Sequence, residues 1–191
     1  MAPRFGWLLA PLLAAVVFGL SAEDARLVEA AKNRDWAAVR ALLKQGLNVN
    51  QRYADGTSAL DWAAYWGDLE TADLLIRSGA DVGTVDDLGV MPLALAAKHG
   101  DAAMVQRLLA AGANPNVALR SGETPLMLAA RAGNAGAVKA LLDRDATVNA
   151  REKTRGQTGL MWAAAEKVEG RTVLFSLATP AAEITKSHSG R

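Results

Sequence analysis

Gly56-Thr57-Ser58-Ala59-Leu60 returns three times along the chain, as Gly89-Val90-Met91-Pro92-Leu93, Gly122-Glu123-Thr124-Pro125-Leu126 and Gly156-Gln157-Thr158-Gly159-Leu160. The leading glycines stand 33, 33 and 34 residues apart. A nearly constant period of this size marks a solenoid of stacked units, each one supersecondary element. It also moves the functional question from a catalytic cleft to a recognition surface.

Other features keep the same period. Alanine pairs recur at Ala30-Ala31, Ala63-Ala64, Ala96-Ala97, Ala129-Ala130 and Ala163-Ala164, and turn glycines follow at Gly67, Gly100 and Gly133. Apolar pairs recur at Leu42-Leu43, Leu75-Ile76, Leu108-Leu109 and Leu141-Leu142. Gly46-Leu47-Asn48, Gly79-Ala80-Asp81, Gly112-Ala113-Asn114 and Asp145-Ala146-Thr147 come next. A Ser or Thr ahead of an apolar run offers an N-cap oxygen, and Pro92 and Pro125 fall near the first helical position, where a missing N–H costs nothing. Gly46, Gly79 and Gly112 sit where a helix ends with positive φ. The alanine pair lets a first helix approach its neighbours, and the apolar pair supplies the stripe of a second helix. Each unit therefore reads as turn, short helix, turn, longer helix and loop. None can bury its own face, so stability comes from neighbouring units.

Gly-x-Thr-Pro-Leu, the alanine pair, the turn glycine, the apolar pair and the closing Gly-Ala together resemble the ankyrin repeat, over about residues 24–166. The resemblance implies an all-α solenoid of helix-turn-helix units joined by hairpin-like loops. The units are expected at about 24–52, 53–85, 86–118 and 119–151, with a partial fifth over 152–178. It also implies a binding module whose variable positions line a concave face. Carried over position by position, these are Tyr53, Asp55, Asp87, Leu88, Arg120 and Glu123 at the turn tips, with Ser121 and Arg155 beside them. On the first helices they are Tyr65, Trp66, Lys98, His99 and Arg131, with Lys32 and Asn33 in the first unit. A solvent-facing Tyr65-Trp66 pair is costly without use, and Tyr, Trp and Arg are the usual anchors of interfaces. Packing against the neighbouring turn is the other reading of these two rings. Trp62 and Trp162 share the position of Leu95 and Leu128 and are expected in the core, while Trp36 is expected to cover the first unit. On the binding reading, truncating Trp66 weakens a partner complex more than it lowers stability.

The pattern breaks at both ends. Arg34 replaces the turn glycine in a polar first unit, as suits an N-terminal cap. Lys167 replaces it in the fifth, and Thr179-Pro180 stands in place of the closing Gly-Ala. The sequence after Glu166 admits three readings: a degenerate cap, a truncated or frame-shifted copy of a longer array, and a partner-binding tail. Residues 179–191 are polar and expected to be flexible.

Ahead of the repeats, one cation lies within Met1–Arg4, Phe5–Leu20 is 16 residues without charge, and Leu20-Ser21-Ala22 precedes Glu23-Asp24. This is the pattern of a secretory signal peptide over 1–22, with cleavage expected after Ala22. The run is short for a membrane span, which takes about 20 residues, although an uncleaved anchor is the alternative. Export places the chain in the periplasm or outside the cell. Cysteine is absent, which excludes disulfides, thiolate metal sites and a lipoprotein anchor. Net charge is +1, and loss of Arg4 with the signal leaves 20 basic against 20 acidic residues, with no electrostatic footprint for nucleic acid. Aromatic residues make up only 5% of the 191 residues, so the core is built from small side chains.

Catalysis finds no support in the motifs. His99 and His188 are the only histidines, no Gly-x-Ser-x-Gly elbow occurs, and no histidine pair has metal-ligand spacing. Asp86-Asp87 falls in a hairpin turn, where solvated carboxylates are ordinary. The expectation is a monomeric, non-enzymatic module without cofactor that binds a protein, not nucleic acid and, once the signal is removed, not membrane. The alternative is a structural fragment, or truncated copy, of a longer array without a target of its own.

Overall fold

The computed structural model describes residues 25–165. The expected signal segment, the fifth unit beyond Ala165 and the tail over 179–191 lie outside the described residues. Nine helices follow one another among those described: α1 Arg26–Lys32, α2 Trp36–Lys44, α3 Ala59–Trp66, α4 Leu69–Arg77, α5 Pro92–Lys98, α6 Ala102–Ala110, α7 Pro125–Arg131, α8 Ala135–Leu142 and α9 Gly159–Ala165. They pair as α1–α2, α3–α4, α5–α6 and α7–α8, and α9 opens a fifth unit. The odd-numbered helices stack on one another in one layer, and the even-numbered helices form the second.

The caps explain why such short helices begin where they do. Ser58 and Asp61 form a reciprocal capping box on α3, and the Thr124 hydroxyl accepts from Met127 N on α7. Met91 occupies the same place on α5 without a capping oxygen. The second helices repeat a different device. Asp35, Asp68, Asp101 and Asn134 each accept from the backbone N–H three residues on. Two positions keep the backbone of a glycine without the residue. Arg34 and Asp145 both have φ 60°, matching Gly67 and Gly79 one or two periods away. A left-handed non-glycine costs roughly 1–2 kcal/mol, offset here by helix-closing bonds from Asp35 N to Ala30 O and from Ala146 N to Leu141 O.

Burial follows the sequence pattern. Ala63, Ala64, Ala96, Ala97, Ala129 and Ala130 are all buried where first helices touch. Leu75, Leu108 and Leu141 fill the space between the two layers. Leu42 and Leu43 are only half-buried, and Val39 is the single buried residue of α2. The first unit is thus the wetter one, in keeping with an end of the stack.

Polar bonds join the units as well. Each connecting loop closes as a narrow hairpin, with Tyr53 N donating to Thr57 O, Asp86 N to Val90 O and Leu119 N to Glu123 O. Numbered by the unit each one opens, these are the second, third and fourth hairpins, and the fifth runs from Glu152 N to Gln157 O, which locates the extra residue of the 34-residue step in its tip. The tips are tied in series by Asp87 N to Asp55 O (2.9 Å), Arg120 N to Leu88 O (3.4 Å) and Lys153 N to Ser121 O (2.9 Å). At the other edge, Asn50 bridges to the next unit by donating to Gly79 O (3.0 Å) and accepting from Asp81 N (2.8 Å). Asn116 does the same with Asp145 O and Thr147 N. Gly83 stands between them in the period, so the junction of the second and third units lacks this clamp.

That junction also buries a carboxylate. Asp61 is 4% exposed, its Oδ2 accepts from Ser58 N and Oγ, and its Oδ1 has no partner among the described residues. Burial pushes its pKa up to about 6; the Ser58 bonds pull it down, Asp86 across the junction raises it, and Arg52 lowers it.

Three outcomes are expected in denaturant melts of the chain from Glu23. Leu108→Ala costs about 2–5 kcal/mol, the range for a core truncation, and a neutral result would mean the helix register is wrong. Gly83→Asn gains about 1 kcal/mol by rebuilding the clamp toward Gly112 O and Asn114 N. Its φ is not left-handed, and an added Cβ meets only the Asp81 carboxylate at 3.4 Å. Asp61 has a folded pKa above its unfolded one, so its contribution is full below about pH 4 and is lost as pH rises through about 6. Asp61→Asn should therefore remove a decline of about 2–3 kcal/mol between pH 4 and pH 7, read as the difference between the two pH profiles.

Candidate functional site

The last turn of each first helix and the tips of the hairpins share one face. Three contacts show it. The Tyr53 hydroxyl, on the second hairpin, donates to the Glu29 carboxylate of α1. Lys32 Nζ lies 5.5 Å above the Tyr53 ring. Arg131, ending α7, pairs with Glu123 of its own hairpin at 3.4 Å.

In the middle of this face, α3 carries Trp62, Tyr65 and Trp66, placed together by the spacing of three and four residues along a helix. Tyr65 and Trp66 are 39% and 38% exposed. Their rings meet edge-on at 4.8 Å, Trp66 stacks along Trp62 at 6.4 Å, and Tyr65 meets the His99 ring of α5 edge-on at 5.0 Å. Edge-to-face pairs at these distances add about 0.5–1.5 kcal/mol each beyond their buried area. Trp66 is also structural. Its Nε1 donates to Lys32 O at 3.2 Å, capping the end of α1, and Arg34 Cζ lies 5.1 Å over its ring. The packing reading of Trp66 thus has its contacts, while much of the ring stays exposed. The expectation that truncation acts chiefly on binding passes to Tyr65, whose ring packs on its neighbours without such a bond back to α1.

The remaining candidates separate by role. Asp55 is exposed, and its carboxylate accepts from Thr57 N, which holds its pKa below the usual range. Tyr53 is pushed up to about 12, by partial burial first and then by its bond to and the charge of Glu29. Asp87 faces solvent, whereas Asp86 is half-buried and accepts from Leu88 N and Val90 N, so only one of the acidic pair is a simple solvated group. Leu88, at the tip, is 66% exposed, the most exposed large apolar residue described. Lys98, His99 and Arg120 are exposed, and Glu123 is half-buried between Ser121 Oγ and Arg131.

Some members of the face carry no signal in the period. Trp162, expected in the core, is half-buried; it donates to Gln157 Oε1 at 3.0 Å and lies 4.7 Å beneath Arg131 Cζ. Glu152 folds under its own hairpin tip. Burial acts to raise its pKa, but the N–H groups of Gln157, Thr154 and Arg155 hold it below the usual range. It occupies the hairpin position of Tyr53, Asp86 and Leu119, and its carboxylate gathers the N–H groups of the tip as that of Asp86 does, a shared role that the differing residue types at this position conceal. A depression of about 260 Å³ lies between the fourth and fifth hairpins, with Trp162, Glu123 and Gln157 in its wall. Among the described residues no three His, Cys, Asp or Glu side chains gather as metal ligands, and no helix is long and apolar enough to cross a membrane.

Comparison with known proteins agrees with this geometry. A family model described as ankyrin repeats (3 copies) matches residues 93–187, and one described as ankyrin repeats (many copies) matches residues 27–76 and 60–109. No curated protein matches the chain. Helix pairs stacked in two layers, hairpins tied tip to tip and family matches running from residue 27 to residue 187 lead to one conclusion: the chain belongs to the ankyrin-repeat family.

Proposed function

We propose that this chain is an exported, non-enzymatic module that holds a protein partner against the face built by Tyr65, Trp66, Leu88 and His99. Ankyrin repeats are in general protein-protein interaction modules. The observation that carries the reading for this chain is the half-exposed Tyr65–Trp66–His99 cluster, a rigid aromatic surface in a core otherwise built from alanine and leucine. Rings already held by one another lose little freedom on binding, so more of the contact energy remains as affinity. The signal-like segment over 1–22 supports a site of action in the periplasm or outside the cell, and the near-zero net charge speaks against nucleic acid.

A second reading has its own observation. Leu160 and Met161 on α9 are 37% and 48% exposed, where Leu93, Leu126 and Met127 at equivalent places are buried. In this reading the repeats extend a longer stack and have no target of their own. A chain from Glu23 that melts in one cooperative step as a monomer favours the module over the stack segment.

Tyr65→Ala is expected to weaken a captured partner by about 2 kcal/mol or more, as for an interface anchor, beyond the about 1–3 kcal/mol of stability lost with its ring pairs to Trp66 and His99. Trp66→Ala is expected to lower both, since its indole also closes the end of α1. Pull-down with the immobilised chain, followed by titration of the recovered partner against both variants, reads the two effects. A partner retained equally by Tyr65→Ala would refute the placement of the site.

A further inference from the structure

We propose that the occupant of this face is an extended acidic segment in which carboxylates and one apolar residue recur at every third position. The inference rests on the binding reading above and names the chemistry of its partner.

Lys32, Tyr65, Lys98 and Arg131 occupy one position of the period, 33 residues apart, at or beside the ends of α1, α3, α5 and α7. The row therefore reads cation, ring, cation, cation, without a carboxylate. Cations suit the ends of helices, whose free carbonyls carry partial negative charge, so each is placed there at little cost to the fold. All three remain exposed.

The carboxylates nearby are satisfied within the chain. Glu29 accepts from the Tyr53 hydroxyl and Asn33, Asp55 from Thr57 N, Asp86 from Leu88 N and Val90 N, and Glu123 from Ser121 Oγ and Arg131. Asp87, at a hairpin tip, is the exposed exception. The cations differ. Lys98 makes no ion pair or ring contact among the described residues. Lys32 lies over the Tyr53 ring, a contact that orients a cation without neutralising it, whereas Arg131 lies over Trp162 and is already paired with Glu123 at 3.4 Å. A row of cations and one ring, with no carboxylate at its own positions, complements an acidic segment laid along it.

The spacing sets the register. Packed helices lie about 8–10 Å apart, and an extended chain in the polyproline II conformation advances about 3.1 Å per residue with about three residues per turn, so every third side chain falls on one face. Neighbouring positions of the row therefore meet every third residue of an extended segment. Its sequence would read acidic, x, x, apolar, x, x, acidic, x, x, acidic, with the apolar side chain on Tyr65 and its neighbours Trp66 and His99.

The probe is a ten-residue capped peptide with glutamate at its first, seventh and tenth positions, phenylalanine at its fourth and glycine or serine elsewhere, labelled at one end and titrated by fluorescence anisotropy. Three controls accompany it: the same composition with the glutamates adjacent, lysine in place of glutamate, and a ten-nucleotide thymidine strand. Binding of the spaced acidic peptide, weakened about tenfold by Lys98→Glu and by raising salt from about 50 to about 200 mM, is the expected result. Lys98→Glu should leave the circular dichroism and melting unchanged, and a peptide with lysine in place of its middle glutamate should recover binding to that variant. No binding of the spaced peptide at millimolar concentration, equal binding of the adjacent-glutamate or lysine peptide, or tighter binding of the thymidine strand overturns the inference. A natural partner that is lost with Tyr65→Ala but indifferent to Lys98→Glu would overturn it while leaving the binding reading intact.

Discussion

A helix of seven residues has hardly more than one turn of internal hydrogen bonds, too few to persist alone in water. α1, α5 and α7 have that length, so they exist only because a neighbour covers them. The covering contact is made by alanine. With a methyl group as the only side chain, Ala96 and Ala97 let α5 lie close to α3 and α7, and the enclosed space is completed by leucines of the second helices. Larger residues there would part the layers, and glycine would weaken the helices. The rest of the molecule follows from this stacking: the hairpins are held in line with one another, and the last turns of the first helices are brought into a row.

Stacking is reinforced unevenly. Tip-to-tip backbone bonds join the second to the fifth hairpins, whereas the asparagine clamp occurs only at alternate junctions. The second and third units meet without the clamp and with the Asp61 carboxylate buried between them. In a linear array each interface adds its own term to stability, and at this one the Arg107–Asp73 ion pair at 3.0 Å, rather than an asparagine, ties the second helices together. It is also the junction beneath the Tyr65–His99 contact, which spans the same two units. The aromatic cluster therefore sits on a seam that buries a carboxylate.

The face combines two classes of side chain that the fold treats differently. Trp66 and Tyr53 are tied to the first helix, by an indole bond to Lys32 O and a hydroxyl bond to Glu29. The side chains of Tyr65, Leu88 and Lys98 stand clear of such bonds to α1. The first group makes the surface rigid, and the second is available for contact. Rigidity and availability are thus assigned to adjacent residues, as in Tyr65 and Trp66, with the helical rotation between neighbours deciding which ring reaches back and which faces out.

Much of this was legible in the sequence. The 33-residue recurrence of Gly-x-Thr-Pro-Leu, the alanine pairs and the leucine pairs determined the solenoid, its helix order and its alternating layers, because periodic burial needs a periodic pattern. The candidate positions of the face came from the resemblance to the ankyrin repeat, carried over position by position. Other features needed the tertiary structure. Arg34 and Asp145 look like defects in the pattern but hold the backbone of the glycines they replace, with the helix-closing bonds that follow them kept. Asn50 and Asn116 form clamps, and Trp162 supports Arg131, through partners about 30 residues distant in the chain. The period names equivalent places but not what touches them. Sequence alone determined which residues recur; which of the remaining ones meet, and with what charge left unpaired, was decided only when stacking brought units a full period apart within a few ångströms.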